Sequence, residues 1–413
     1  MDDIANRADR GAAGGNRPVG VGRLERAPAS RFRRFLSLED FDRAARRHLP
    51  WMLYGFVAGG AEEEVSLTES RAAFEDYAFV PRVLVDTAGR DTGRDLFGTT
   101  YKVPFGIPPM GIGALIAYRN DVVLARAAEA QGMPFILSAS SLIPMETVRE
   151  AGPSAWYQAY VPGEKPRIAA LVDRVGATGF GTLVVTVDVP VGANRENNER
   201  NGFTTPLRPS LKLIVDGATH PNWLFGTALR TLVKHGMPHF ENTDATRGPP
   251  ILSRDLTRAT GFRDRLAWEH LDFIRSRWPG RLVVKGVLSA DDARRMREAG
   301  ADGVIVSNHG GRQLDGAIAP LRVLPEIVEA AGDMTVMYDG GIRRGGDVLK
   351  ALALGAQFVF VGRPFLFAAA VGGEAGVRHA AELLRKEIDR NMALVGITRL
   401  DQLVPSGIRR IRA

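Results

Sequence analysis

The stretch RLVVKGVLSADDARRMREAGADGVIVSNHGGRQLDG (281–316) decides the fold. It opens on a run, 281–287, that is apolar after Arg281 and broken by one charge, Lys285. An amphipathic segment, 289–299, follows at helical spacing, and then a second apolar run, 302–308, ends in Gly-rich polar sequence. Continuous apolar runs without polar alternation suit strands buried on both faces, and the helical spacer makes the pair a βαβ unit of a parallel sheet. Working outward, the same rhythm recurs. Apolar runs lie at 103–109, 133–140, 155–161, 181–190, 333–340 and 357–362, and amphipathic stretches at 121–131, 165–177, 321–331 and 343–354. Eight strand–helix units are the count of a (β/α)8 TIM barrel. An open doubly wound sheet is the other arrangement of such units, but polar residues at the end of nearly every run favour closure.

The flanks are of different character. Residues 1–36 are rich in Gly, Ala, Arg and Pro without periodicity and are expected to form a disordered tail. Helical patterning starts near Ser37, with an Ser-x-x-Asp cap (Ser37, Asp40), and stops at Gly59-Gly60. The barrel domain is expected over 37–400, with 401–413 as a C-terminal tail. An insertion after strand four, about 200–262, interrupts the rhythm and carries a basic amphipathic patch, WLFGTALRTLVKHG; the helix expected after it lies at about 263–278. Long insertions in compact domains are usually lids or binding segments.

Composition narrows the chemistry. The 413 residues are 45% hydrophobic, enough for a large core, and contain no cysteine, which excludes disulfides, thiolate metal sites and cysteine nucleophiles. No metal site is expected. No run of about 18 uncharged apolar residues predicts a transmembrane helix. The net charge of +7 has an address. Residues 1–34 hold eight arginines against four acids, residues 206–240 hold four basic groups against one acid, and the remainder balances. The barrel is therefore formally neutral, and nucleic acid is not an expected partner.

Chemistry in this fold sits at the C-terminal ends of the strands. After the sixth run stands His309, a general base for near-neutral pH, with Arg312 three residues on as a fork for a carboxylate. After the fourth run stand Asp188, able to orient a histidine, and Arg195. Lys285 sits within an apolar strand, where an ammonium calls for an anion; a Schiff-base lysine and a lysine facing an anionic cofactor both fit. The seventh and eighth runs end in DGGIRRGGD and VGRP, whose glycines and arginines before helix N-termini suit a phosphate. Gln158 and Tyr160 point to one face of the third strand.

These residues resemble the FMN-dependent 2-hydroxy acid dehydrogenases and oxidases. SNHGGRQLDG is that family's signature, and VDVP, VVKGV, DGGIRRGGDV and GRP follow in its order, over about residues 37–400. The resemblance implies that His309 takes the substrate proton with Asp188 as its partner. Arg312 and Arg195 would bind the carboxylate, and Tyr160 the substrate oxygen. FMN would be held by Pro109, Met110, Gly111, Ser138, Gln158, Thr186, Lys285, Ser307, Asp339, Gly341, Arg343, Gly362 and Arg363. One position departs: the family's substrate-contacting tyrosine is Phe56 here, and Tyr54 lies about 200° away around a helix. Ser140, where small members carry a bulky aromatic, implies room for an aromatic or longer 2-hydroxy acid. Gly111 and the basic insertion resemble the members that feed a quinone at a membrane. The expectation is thus a cytoplasmic homo-oligomer, a tetramer, oxidising an L-2-hydroxy acid of lactate or mandelate type and touching the inner membrane face through 206–240. An oxygen-using oxidase and oxidation of a non-hydroxy-acid substrate are the alternatives.

Overall fold

The computed structural model describes residues 29–204, 207–208, 210–253 and 263–412. Eight parallel strands run β1 (Phe105–Gly106), β2 (Ile136–Ser138), β3 (Trp156–Ala159), β4 (Thr182–Thr186), β5 (Arg281–Val287), β6 (Gly303–Val306), β7 (Thr335–Asp339) and β8 (Phe358–Phe360). From β2 to β8 each pairs with the next in sequence, and β8 pairs with β1. A parallel bridge between Ile107 and Phe135 joins β1 to β2 and closes the barrel. The expected (β/α)8 fold is therefore the one observed, and all eight apolar runs supply its strands.

The period-2 geometry of a strand explains where the polar groups go. Ile136, Trp156, Val184, Val283, Ile305, Met337 and Phe358 fill the barrel interior as one apolar layer. A two-stranded hairpin, Arg94–Leu96 with Thr99–Tyr101, adds Leu96 and Tyr101 to that cluster. Two residues further along β2 to β7, on the same face, stand Ser138, Gln158, Thr186, Lys285, Ser307 and Asp339, while β8 carries Phe360 there. The chain thus places one polar layer directly above one apolar layer, at the C-terminal mouth. All six of those polar residues are buried.

The helix Arg363–Val395 packs along Leu38–His48 and Asn120–Gln131, with a non-helical glycine, Gly373, inside it. The N-terminal helical region is two helices, Leu38–His48 and Trp51–Ala58, because Pro50 between them cannot continue the first. The Ser37 N–H donates to Asp40 Oδ2 at 2.9 Å, as the cap motif requires.

The boundaries need three corrections. The expected disordered tail runs too far: Phe32 is buried, stacked on His379 at 5.7 Å and packed on Phe41 at 5.9 Å, so apolar contact orders the chain before Ser37. Residues 1–28 lie outside the described residues. The expected C-terminal tail contains a strand, Ile408–Arg410, antiparallel to Tyr77–Phe79, with Ile408 buried. The helix after the insertion is Trp268–Arg277, preceded by a single 3-10 turn, Arg263–Arg265. Within the insertion, residues 211–235 are helical, as Leu211–Ala218, Pro221–Trp223, a π-helical turn Leu224–Leu229, and Arg230–His235, whereas 236–253 form bends and turns tied by an antiparallel bridge between His239 and Pro250.

Candidate active site

A cavity of about 810 Å³ opens over the polar layer. His309 lines it from just beyond the end of β6, with φ of 59°, followed by Gly310 and Gly311 at 66° and 71°. Three successive left-handed residues turn the chain sharply enough to aim the imidazole back over the barrel. A Cβ on Gly311 would lie 2.4 Å from the Leu67 nitrogen, so that position admits only glycine.

His309 Nδ1 lies 2.9 Å from Asp188 Oδ1. An ionised carboxylate can only accept, so Nδ1 carries the proton and Nε2 keeps its lone pair. Nε2 faces the Tyr160 hydroxyl at 3.5 Å. Burial holds the imidazole below its ordinary value, against the pull of Asp188. Burial alone would raise Asp188, but the charge and hydrogen bond of His309, with Lys285 behind, hold it below the ordinary carboxylate value. The pair at neutral pH is thus a neutral imidazole on a carboxylate. Burial also raises the Tyr160 hydroxyl, with Asp188 adding to the effect, so Tyr160 remains a donor.

Arginines surround this dyad. Arg195 donates from Nε to the Arg312 carbonyl at 3.0 Å and from Nη2 to Gln313 Oε1 at 2.7 Å. Arg312 donates to the Gly59 carbonyl at 2.6 Å and lies 5.1 Å from the Phe56 ring centroid. Arg363 donates to the carbonyls of Val57, Gly59 and Gly310, and Arg343 to that of Ile342. All of these partners are neutral. Burial accordingly lowers all four arginines from their usual range, Arg363 to about 9. A buried cation without a counter-charge is costly, and an anion in the cavity would relieve it.

At the mouth of β5, Lys285 Nζ lies 3.0 Å from Asp339 Oδ2 and donates to Ser307 Oγ at 2.7 Å. Burial would lower this ammonium, but Asp339 and Asp188 hold it above its ordinary value. Nearby, Gln158 Nε2, Thr186 Oγ1 and Asp339 Oδ1 are buried without partners. Unpaired buried polar atoms are uncommon in folded proteins and call for a ligand or water. The three lie on β3, β4 and β7 around Lys285, so they suit a flat polar heterocycle laid across the barrel mouth. Gly341 and Gly362 precede the helices Gly345–Ala353 and Arg363–Val395, and with Arg343 and Arg363 they suit its phosphate. This donor set fits FMN.

The expected residues are brought together with little scatter. Phe56, Tyr160, Arg195, His309 and Arg312 line the cavity together with Pro109, Met110, Gly111, Lys285, Asp339, Gly341, Arg343, Gly362 and Arg363. Ser138, Gln158, Thr186, Ser307 and Asp188 stand at the strand ends beneath it. Tyr54 does not replace the missing tyrosine: its hydroxyl donates to Asp42 at 2.8 Å, and Phe56 packs on Phe203 at 4.3 Å between ring centroids. A Cβ on Gly111 would come within 2.7 Å of Ser140 Cβ, so these two positions share one small volume. Several cavity residues escape the strand-end reading, Phe203 and Arg263 among them. Both lie in or beside the insertion, where no repeating unit fixes their position; the only signal was the abnormal length of that connection.

A flavin-sized donor set on a closed (β/α)8 barrel defines an oxidoreductase of the hydroxy acid dehydrogenase type. The family described as FMN-dependent dehydrogenase matches residues 45–410, and the chain belongs to it. FMN is therefore the cofactor. The (S)-mandelate dehydrogenase of Pseudomonas putida is 38% identical over 370 residues, covering 89% of this chain and 92% of that one. The L-lactate dehydrogenase of Stenotrophomonas maltophilia strain R551-3 is 39% identical over 366 residues, 87% of this chain and 95% of that one. Among solved structures, the monotopic membrane protein (S)-mandelate dehydrogenase superposes with a TM-score of 0.83 at 36% identity, covering 91% of this chain and 99% of that one. A mandelate oxidase with (S)-2-phenylpropionate gives 0.75 at 34%, covering 91% and 98%.

Proposed function

We propose that this enzyme oxidises an L-2-hydroxy acid of lactate or mandelate type to the 2-oxo acid and passes the electrons to a quinone or similar acceptor. The observation that carries the reading is the His309–Asp188 pair, with a free Nε2 facing Tyr160 and two arginines beside it. Arg195 and Arg312 hold the substrate carboxylate. Tyr160 donates to the substrate oxygen, and His309 Nε2 receives a proton from the substrate while Asp188 stabilises the imidazolium that forms. FMN, when bound, supplies the two-electron acceptor. Lys285 offsets negative charge beside it, Gln158, Thr186 and Ser138 bond its ring edge, Asp339 and Ser307 fix Lys285, and Arg343 and Arg363 hold its phosphate. Phe56 offers the carboxylate no hydrogen bond, and Ser140 leaves volume for a substrate with a larger body.

Anaerobic mixing with lactate, mandelate and longer 2-hydroxy acids is expected to bleach the bound flavin, fastest with the larger ones. The reduced enzyme should then reoxidise faster with a quinone than with oxygen. Fast reoxidation by oxygen would favour the alternative of a peroxide-forming oxidase, which the likeness to a mandelate oxidase supports. Failure of every 2-hydroxy acid to bleach the flavin would favour a non-hydroxy-acid substrate.

The insertion supports the membrane part of the reading. Leu211, Phe225 and Val233 are 76%, 66% and 84% exposed, close to Lys212, Arg230 and Lys234. Apolar side chains interleaved with cations suit the surface of an anionic bilayer, at about 1 kcal/mol per basic group. No helix among the described residues is long and apolar enough to cross a membrane. Sedimentation with anionic liposomes is expected for the intact protein and should be lost when residues 206–240 are replaced by a short linker. Equal sedimentation of both would overturn this assignment.

A further inference from the structure

The cavity holds more positive charge than the proposed reaction uses. Its walls carry seven cations, Lys285 and six arginines, against two carboxylates, Glu199 and Asp339. Lys285 is matched by Asp339. Arg343 and Arg363 answer the cofactor phosphate, and Arg195 and Arg312 the substrate carboxylate. Arg263 and the exposed Arg208 are left over.

Arg263 is the more informative of the two. Its guanidinium carbon lies 4.4 Å from the centroid of the Tyr160 ring, on the same tyrosine whose hydroxyl faces His309. It is partly buried, and among the described residues no carboxylate lies within ion-pair reach of it. Burial lowers its pKa, with only Tyr160 acting the other way. Stacking on Tyr160 holds one face of the planar guanidinium and leaves its N–H edge for a second planar group. The position is one aromatic ring away from the His309 imidazole, in the wall of the same cavity.

We infer that the substrate carries a second carboxylate at the end remote from its 2-hydroxy carboxylate, and that Arg263 binds it. This rests on the hydroxy acid reading above and narrows it to 2-hydroxy dicarboxylic acids. Arg195 and Arg312 grip the oxidised end, and Arg263 selects the length and charge of the tail.

The test compares malate and 2-hydroxyglutarate with 2-hydroxybutyrate and 2-hydroxyvalerate on the FMN-loaded enzyme, wild type and Arg263→Gln. A charge-assisted pair corresponds to about 10–100-fold in binding. The wild type should therefore show a lower KM for the dicarboxylates by about that factor. Arg263→Gln should raise that KM by the same factor with kcat nearly unchanged, and leave the monocarboxylates within about threefold. Arg263→Lys should recover part of the loss. Equal losses for both classes would place Arg263 on the shared carboxylate and overturn the inference, as would a wild type indifferent to the second carboxylate. A parallel titration with redox-inert glutarate and butyrate, followed by the flavin absorbance, reads the same preference without turnover. It separates failure of this inference from failure of the hydroxy acid reading: a glutarate preference lost in Arg263→Gln supports Arg263 even if no hydroxy acid is oxidised.

Discussion

Replacing His309 with alanine is expected to leave a yellow, FMN-loaded enzyme whose kcat has fallen by about 10²–10⁴-fold, the usual worth of a positioned general base. The residues proposed to hold the cofactor are elsewhere, at Lys285, Gln158, Thr186, Arg343 and Arg363, so flavin content should survive the change. The imidazole is the group with a free lone pair facing Tyr160, and its other nitrogen is committed to Asp188 at 2.9 Å. The same geometry fixes the pH dependence. The base works only when neutral, and burial holds its pKa below the ordinary value of 6.5. The kcat/KM of the wild type should therefore lie on a plateau at neutral pH and fall only as pH drops through a value below 6.5. An acid limb above that value would contradict the assignment, and so would substantial turnover in the alanine variant. Asp188→Asn would still orient the ring but present an amide whose donor can select the wrong tautomer, so it should lower kcat while flavin binding stays intact.

The strands and the dyad were legible because both follow from short-range rules. A buried parallel strand must be apolar on both faces, so each run announced itself, and in a barrel the residue just past the run faces the mouth. Lys285 stands out for another reason, as a lone ammonium inside an apolar run that calls for an anion, whereas Asp339 was marked only by the family resemblance. His309 was legible for a second reason, since the two glycines after it have no other use than a tight turn. What escaped depends on contacts distant in sequence. Phe32 joins the core through His379, nearly 350 residues away, and nothing in a Gly- and Arg-rich tail foretells that partner. Ile408 completes a two-stranded sheet with Phe79, equally remote. Arg263 and Phe203 reach the cavity through a connection with no periodicity, where neither a strand period nor a helical period constrains direction. The residues 254–262, expected as part of the insertion, lie outside the described residues.

Replacing Lys285 with methionine is the second large effect, and it combines stability with function. The ammonium is only 3% exposed and neutralises Asp339 at 3.0 Å. Removing it leaves a buried carboxylate whose Oδ1 already has no partner, which should cost about 3–5 kcal/mol of stability. It also removes the cation proposed to offset negative charge at the cofactor, a contribution on the order of 10²–10³ in rate for a preorganised electrostatic group. A single variant cannot separate the two, because a loosened barrel mouth would also slow turnover. The double variant Lys285→Met, Asp339→Asn does separate them. With no buried charge left unpaired, its urea midpoint should return most of the way to the wild type, while flavin reduction by substrate remains slow. Full recovery of the reduction rate together with stability would show that Lys285 serves only to neutralise Asp339. Recovery of stability alone, with Asp339→Asn by itself reducing the flavin at a rate close to the wild type, would assign the ammonium to the chemistry, because the property the double variant then lacks is a positive charge between β4 and β6.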